Sequence, residues 1–285
     1  MKSGKKRLFI CQNRITPLVF LAPGFLGVLI FVLLPFLDVI RRSFGSSVTG
    51  KFLGLDNYKA VFTNKAFQLA VKNTCCFIMV CLPLLIVLGF IVALVLTANK
   101  RARAVKTMLL FPMAMPAATV VLVWKMVFST SGFLNQLLNS QTDFMGTGNA
   151  FWVLVFSYIW KNLGYTVVLW LAGILAVPDS LWEAARVDGA RYITIVVRIL
   201  LPNLKGVLYT ITVLSFLNSF KVFREAYLVA GSYPHESMYL LQHLFNNLFV
   251  RLELDKMAAA AVCIGMVLFG VILILQRLWD REESL

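Results

Sequence analysis

Acidic residues are scarce in this chain: 13 Asp and Glu stand against 27 Lys and Arg among 285 residues, with only two His. Proton relays through a membrane depend on embedded carboxylates and imidazoles. Here Glu225 is the one clear acidic candidate inside an apolar run, and His235 and His243 fall outside such runs, which argues against an ion-coupled carrier. No Ser/His/Asp or Cys/His set, no paired carboxylates and no metal-ligand spacing is present, so neither a catalytic nor a metal site is expected. The phosphate-cradling pattern GxxxxGK[ST] is also missing, and any ATP hydrolysis must come from another chain. Cys11, Cys75, Cys76, Cys81 and Cys263 form no CxxC pair and mostly sit in apolar runs. They read as small hydrophobes rather than as a disulfide framework. No internal repeat and no low-complexity tract is visible, and no small-residue cleavage site follows the first apolar run, which therefore reads as a retained span.

What the chain has instead is apolar length. It is 60% hydrophobic, with a mean hydropathy of +0.82, too apolar for a soluble domain. Crossing about 30 Å of hydrocarbon takes about 20 helical residues. Six stretches qualify, at 17–40, 69–97, 105–128, 151–177, 206–230 and 257–279. Each must be helical, because lipid offers the backbone no hydrogen-bonding partner. The fold expected is all-α and polytopic: a basic tail over 1–16, then a permeation domain of six transmembrane helices over 17–285. The net charge of +14 is scattered between apolar runs and makes no nucleic-acid face. It fits a topology bias toward anionic lipid head groups. Lys2, Lys5, Lys6, Arg7 and Arg14, then Lys100, Arg101, Arg103 and Lys106, then Arg186, Arg191, Arg198 and Lys205, with Arg277 and Arg281, fall on one side. They outnumber the cations of the other side, which puts both termini in the cytoplasm.

The polar interruption at 178–205 is on that same side. Ser180 and Glu183 have capping-box spacing, so a helix is expected to start near Ser180. Gly189 should end it in a left-handed turn. A second amphipathic helix is expected from Arg191 to Leu201, stopped or kinked at Pro202. A capped amphipathic loop joining two spans would read the same way from local chemistry alone. Glu183-Ala184-Ala185, then Asp188-Gly189-Ala190, then Ile199, Leu201 and Pro202 resemble the EAA loop of ABC importer permeases, in the form common in the carbohydrate branch. GLDNY at 54–58 and KNT at 72–74 also resemble that branch, and the whole chain is similar to its maltose/glycerol-phosphate first-permease type. The resemblance implies that those nine loop residues form coupling helices seated on a cytoplasmic ATPase. It also implies a second permease subunit, two ATP-binding subunits holding ATP and Mg, an extracytoplasmic solute-binding protein, and a location in the cell membrane. No cofactor is expected in this chain, and no nucleic acid.

Charge inside a span costs about 2.5–3.5 kcal/mol on insertion scales, so polar residues there usually face a cavity or another helix. The fourth stretch runs inward and the fifth outward. Lys161, Asn162 and Tyr165 should therefore lie at a depth similar to Ser215, Asn218, Ser219, Lys221 and Val222. Residues 162 and 165 share a helical face, as do 215, 218, 219 and 222. Together these would offer a sugar hydrogen-bonding groups and an aromatic ring. The resemblance implies that Asn162, Tyr165, Ser215, Asn218, Ser219 and Val222 stand at sugar-contacting positions. Equally, Ser and Asn in membrane helices commonly bond to neighbouring helices as glue. Lys221, Arg224 and Glu225 have the spacing of an ion pair within one helix.

Overall fold

The computed structural model describes residues 19–46, 49–97 and 102–283. The basic tail at 1–16, the first two residues of the first stretch, and Lys100 and Arg101 lie outside them. Among the described residues the elements are helices, with a single isolated bridge between Gly45 and Phe52. Six helices are long and apolar enough to cross a membrane. They are Val19–Ser43 (α1), Lys65–Thr97 (α3), the stretch Ala117–Leu138, which a turn divides, Ala150–Ala176 (α7), Lys205–Ala230 (α10) and Leu254–Arg277, the last within α12, which continues to Glu283.

The chain divides into two compact units, Met1–Asn64 with Leu248–Phe269, and Lys65–Asn247 with Gly270–Leu285. In the first, α1 contains a π segment at Leu29–Leu33 and ends beside a small pinned loop. The helix Asp56–Thr63 (α2) supplies Asn57, which donates from Nδ2 to the Ser43 carbonyl at 3.1 Å and the Gly45 carbonyl at 2.8 Å. The Tyr58 hydroxyl bonds Ser43 Oγ at 2.7 Å. The GLDNY segment is thus more than a turn: its amide satisfies the carbonyls that α1 leaves open at its end.

The second unit is built on α3 and α7. Trp170, Leu171, Ile174, Leu200, Leu204 and Ile211 form one buried cluster with Ala93. Phe77, Cys81, Leu85, Leu154 and Tyr158 form another. The third apolar stretch is not one continuous helix. Pro116 adopts an extended ψ of 142° and separates Ala102–Ala114 (α4) from Ala117–Phe128 (α5), since proline cannot continue the hydrogen-bond ladder. After a turn, Phe133–Leu138 forms a short helix (α6). Gly164 of α7 is where α4 comes closest: a Cβ built on it would lie 2.0 Å from the Leu109 carbonyl oxygen. Only hydrogen fits there.

Asn73 and Thr74, the polar part of KNT, work at a distance. Asn73 Nδ2 donates to the carbonyls of Glu236 and Tyr239 at 2.6 and 3.0 Å. Thr74 Oγ1 accepts from the Leu241 amide at 3.1 Å. Helix Leu241–Val250 (α11) is capped in part by this threonine and in part by its own His243, whose Nδ1 accepts from the Leu240 amide at 3.1 Å. The imidazole occupies the place that Glu or Gln takes in a capping box.

Candidate functional site: an elbow and a charged cleft

After α7, Val177 takes an extended ψ of 125° because a proline follows. The next helix, Asp179–Val187 (α8), therefore starts one residue ahead of Ser180, with Pro178 at the cap and no side-chain cap bond. This corrects the expected Ser180 box. Asp179 in the first turn instead meets the helix dipole. The far end follows the sequence closely. Gly189 has φ +74°, its amide donates to the Arg186 carbonyl at 3.1 Å, and the Ala190 amide reaches back to the Ala185 carbonyl at 3.0 Å. Those two bonds define a Schellman stop. It ties Ala185 and Ala190 together across the left-handed glycine.

The return helix Tyr192–Asn203 (α9) contains a π segment at Val196–Leu200 just before Pro202. Pro202 is accommodated within the helix, which ends one residue later at Asn203, because the wider turn ahead of it absorbs the missing donor. Ala185 is buried, as are Ile195, Val196 and Leu200, whereas Glu183, Ala184, Asp188 and Gly189 are exposed. Ile199 is half-buried and Leu201 and Pro202 are exposed. One side of the elbow is anchored on the α3–α7 core, and the other presents uncovered apolar side chains: Val187 is 88% exposed and Ile193 75%.

Lys161, Asn162, Asn218, Lys221 and Val222 come together with Tyr158 and Glu225 around a cleft of about 160 Å³ between α7 and α10. Helix α10 changes to a 3-10 turn at Phe220–Val222, three residues before Glu225. Glu225, almost fully buried, accepts from Lys161 Nζ in an ion pair across the two helices. The pairing expected within α10, from Lys221 or Arg224 to Glu225, is replaced by this one. Geometry across the cleft decides it, and spacing along one helix does not report that. Lys221 is exposed to the cleft and has no ion-pair partner among the described residues.

Three of the residues singled out from sequence are turned to helix packing. Tyr165 Oη and Ser215 Oγ bond each other at 2.7 Å, and Ser215 is fully buried. Ser219 bonds the Phe216 carbonyl of its own helix at 2.6 Å. Asn162 is half used: its Nδ2 donates to the Tyr158 carbonyl at 2.8 Å, which leaves its side-chain oxygen as an acceptor. Sequence reasoning passed over Tyr158, whose hydroxyl donates to the Ser215 carbonyl at 2.6 Å. It stands one turn before Asn162, on the same face, and that spacing was the available signal. It also passed over Ser157 and Met113, which complete the lining. Among the described residues no group of His, Cys, Asp and Glu is placed to hold a metal ion.

Residues 85–283 match the family described as binding-protein-dependent transport system inner membrane component. The chain belongs to that family. Members are ABC transporter permease subunits, non-catalytic components that cross the cell membrane several times, and the six apolar helices accord with this. The probable ABC transporter permease protein YurN of Bacillus subtilis is 29% identical over 90% of this chain and 92% of its own length. The trehalose/maltose transport system permease protein MalF of Thermococcus litoralis is 32% identical over 73% of this chain and 74% of its own. The sn-glycerol-3-phosphate transport system permease protein UgpA of Agrobacterium fabrum is 29% identical over 92% and 94%. In fold, the permease resembles a chain of a bacterial ABC transporter involved in import of the acidic polysaccharide alginate. The TM-score is 0.84 at 22% identity, covering 96% of this chain and 99% of that one.

Proposed function

We propose that this permease forms half of the translocation pathway of an ATP-driven, binding-protein-dependent importer of a carbohydrate. The substrate class rests on the relatives: trehalose/maltose and sn-glycerol-3-phosphate systems and arabinooligosaccharide systems all name sugars or a polyol phosphate. The observation that carries the mechanism is the elbow at Gly189, a stiff helix–turn–helix with one face packed into the core and one left open. In this reading both termini and the 178–205 loop face the cytoplasm. An ATPase subunit covers Val187 and Ile193 and is held by Glu183, Ala184, Asp188, Gly189, Ala190, Ile199, Leu201 and Pro202, while buried Ala185 couples the elbow to the core behind it. The ATPase dimer, carrying ATP and Mg, closes and moves α8. Because α8 continues into α7 and α9 into α10, that movement changes how the two spans lining the cleft meet, and substrate passes along Lys161, Asn162, Asn218, Lys221 and Val222. Tyr165, Ser215 and Ser219 hold the helices that form its walls.

A second permease subunit supplies the other half of the pathway and an external solute-binding protein delivers the sugar. An alginate transporter has been seen with a pentasaccharide-bound periplasmic protein, a precedent for that arrangement. The reading is tested in proteoliposomes holding either the full assembly or this chain alone. Labelled sugar should accumulate only with the assembly and only with ATP. Accumulation by the isolated chain under a proton or sodium gradient would instead make it a secondary carrier.

A further inference from the structure

We infer that the carbohydrate crossing this cleft is anionic, with its acid group taken by the ammonium of Lys221. The inference rests on the carbohydrate-importer reading above and adds the charge of the cargo. Three charged side chains line the cleft: Lys161, Lys221 and Glu225. Lys161 and Glu225 neutralise each other, so the carboxylate does not repel an arriving anion, and one positive charge remains. That charge sits at the 3-10 turn of α10, 16 residues past its start at Lys205 and nine before Ala230. At about 1.5 Å per residue, either end of the span is farther away than a lysine stem reaches, so snorkelling to the interface does not account for it. A lone cation at that depth costs several kcal/mol unless a counter-anion accompanies it. Arg224, one turn on, is exposed and without an ion pair among the described residues, and adds to the positive potential. Asn218, whose side chain makes no hydrogen bond among the described residues, and the side-chain oxygen of Asn162 remain to meet hydroxyl groups on the same substrate.

Carboxylate and phosphate satisfy this chemistry equally, so the probes separate them: maltose, digalacturonate and glucose 6-phosphate, each labelled, offered to the complete importer with its binding protein in proteoliposomes. Import of digalacturonate or of glucose 6-phosphate is expected, and which of the two enters names the acid. For that probe Lys221→Gln should lower the import rate about tenfold or more, as loss of a charge-assisted bond does, while Lys221→Arg restores most of it. Import of maltose with neither anion, or an unchanged rate in Lys221→Gln, overturns the inference and leaves the importer reading intact. ATP-dependent entry of none of the three overturns the carbohydrate reading and the inference with it. If Lys221→Gln does not assemble, the wild-type panel decides alone.

Discussion

The elbow and the cleft are held together by contacts of very different reach. At the elbow, the two bonds that stop α8 run from Gly189 to Arg186 and from Ala190 to Ala185, within six consecutive residues. In the cleft, Lys161 and Glu225 are 64 positions apart, and Tyr165 and Ser215 are 50. The first kind of structure is dictated by the conformational freedom of one glycine and the reach of neighbouring amides. The second exists only after α7 and α10 have packed. A local change should therefore disturb the elbow without unfolding the protein, whereas the cleft should fail together with the helices that form it.

The largest effect is expected at the cleft's support. Gly164→Ala puts a methyl group 2.0 Å from a main-chain oxygen of α4, and a backbone atom cannot swing aside. The cost should be about 3 kcal/mol, at the upper end for overpacking, read as loss of assembled importer and a lowered thermal midpoint. A variant of normal stability would mean that α4 does not press on α7 as described. Glu225→Gln should come next, because it leaves Lys161 without its partner in a low-dielectric site, at about 3 kcal/mol. The double change Lys161→Met with Glu225→Leu should recover most of that loss, and a thermodynamic cycle of Lys161→Met, Glu225→Leu and the double variant checks the pair. Equal effects in single and double variants would remove the ion pair from the account.

A smaller effect is tied to pH, at His243 on α11. The side chain is fully buried, and burial lowers its pKa from 6.5 to about 4. Its Nδ1 accepts from the Leu240 amide, so the neutral ring carries its proton on Nε2. A base whose pKa is depressed by folding contributes stability that is complete above about pH 6.5 and is lost as pH falls toward 4. By pH 5 the loss should be about 2 kcal/mol. Thermal midpoints between pH 5 and 7.5 should slope less in His243→Asn than in the parent, and identical slopes would contradict the buried neutral ring.

How much of each region could be read from the sequence follows from the same difference in reach. Gly189 as a left-handed stop was readable because only its immediate neighbours matter. The Ser180 cap misled because Pro178 constrains Val177 as well as itself and so sets the helix start one residue earlier. In the cleft, Lys161 and Asn162 line one pocket with Asn218 and Lys221, a juxtaposition that the opposite directions of α7 and α10 made legible. Which polar groups would be consumed by packing was not accessible, since Tyr165 bonds Ser215 and Glu225 pairs with Lys161 only across two packed helices, the second contact lying beyond the 3-10 turn at Phe220–Val222. That turn has no proline or glycine to announce it. The break at Pro116 was visible as a proline in an apolar run, yet hydropathy alone carries a span straight through it.

In the proposed mechanism a rigid turn at Gly189 links ATP hydrolysis to the spans that line the cleft. Gly189→Val places a β-branched residue at φ +74°, a conformation costing it about 1–3 kcal/mol, at an exposed position where added bulk meets nothing. The decisive quantity is the number of sugar molecules imported per ATP hydrolysed by the reconstituted complex. A Gly189→Val complex that assembles normally should hydrolyse ATP while importing about tenfold less sugar per ATP, and an unchanged ratio would mean that the turn at Gly189 does not transmit the ATPase's movement.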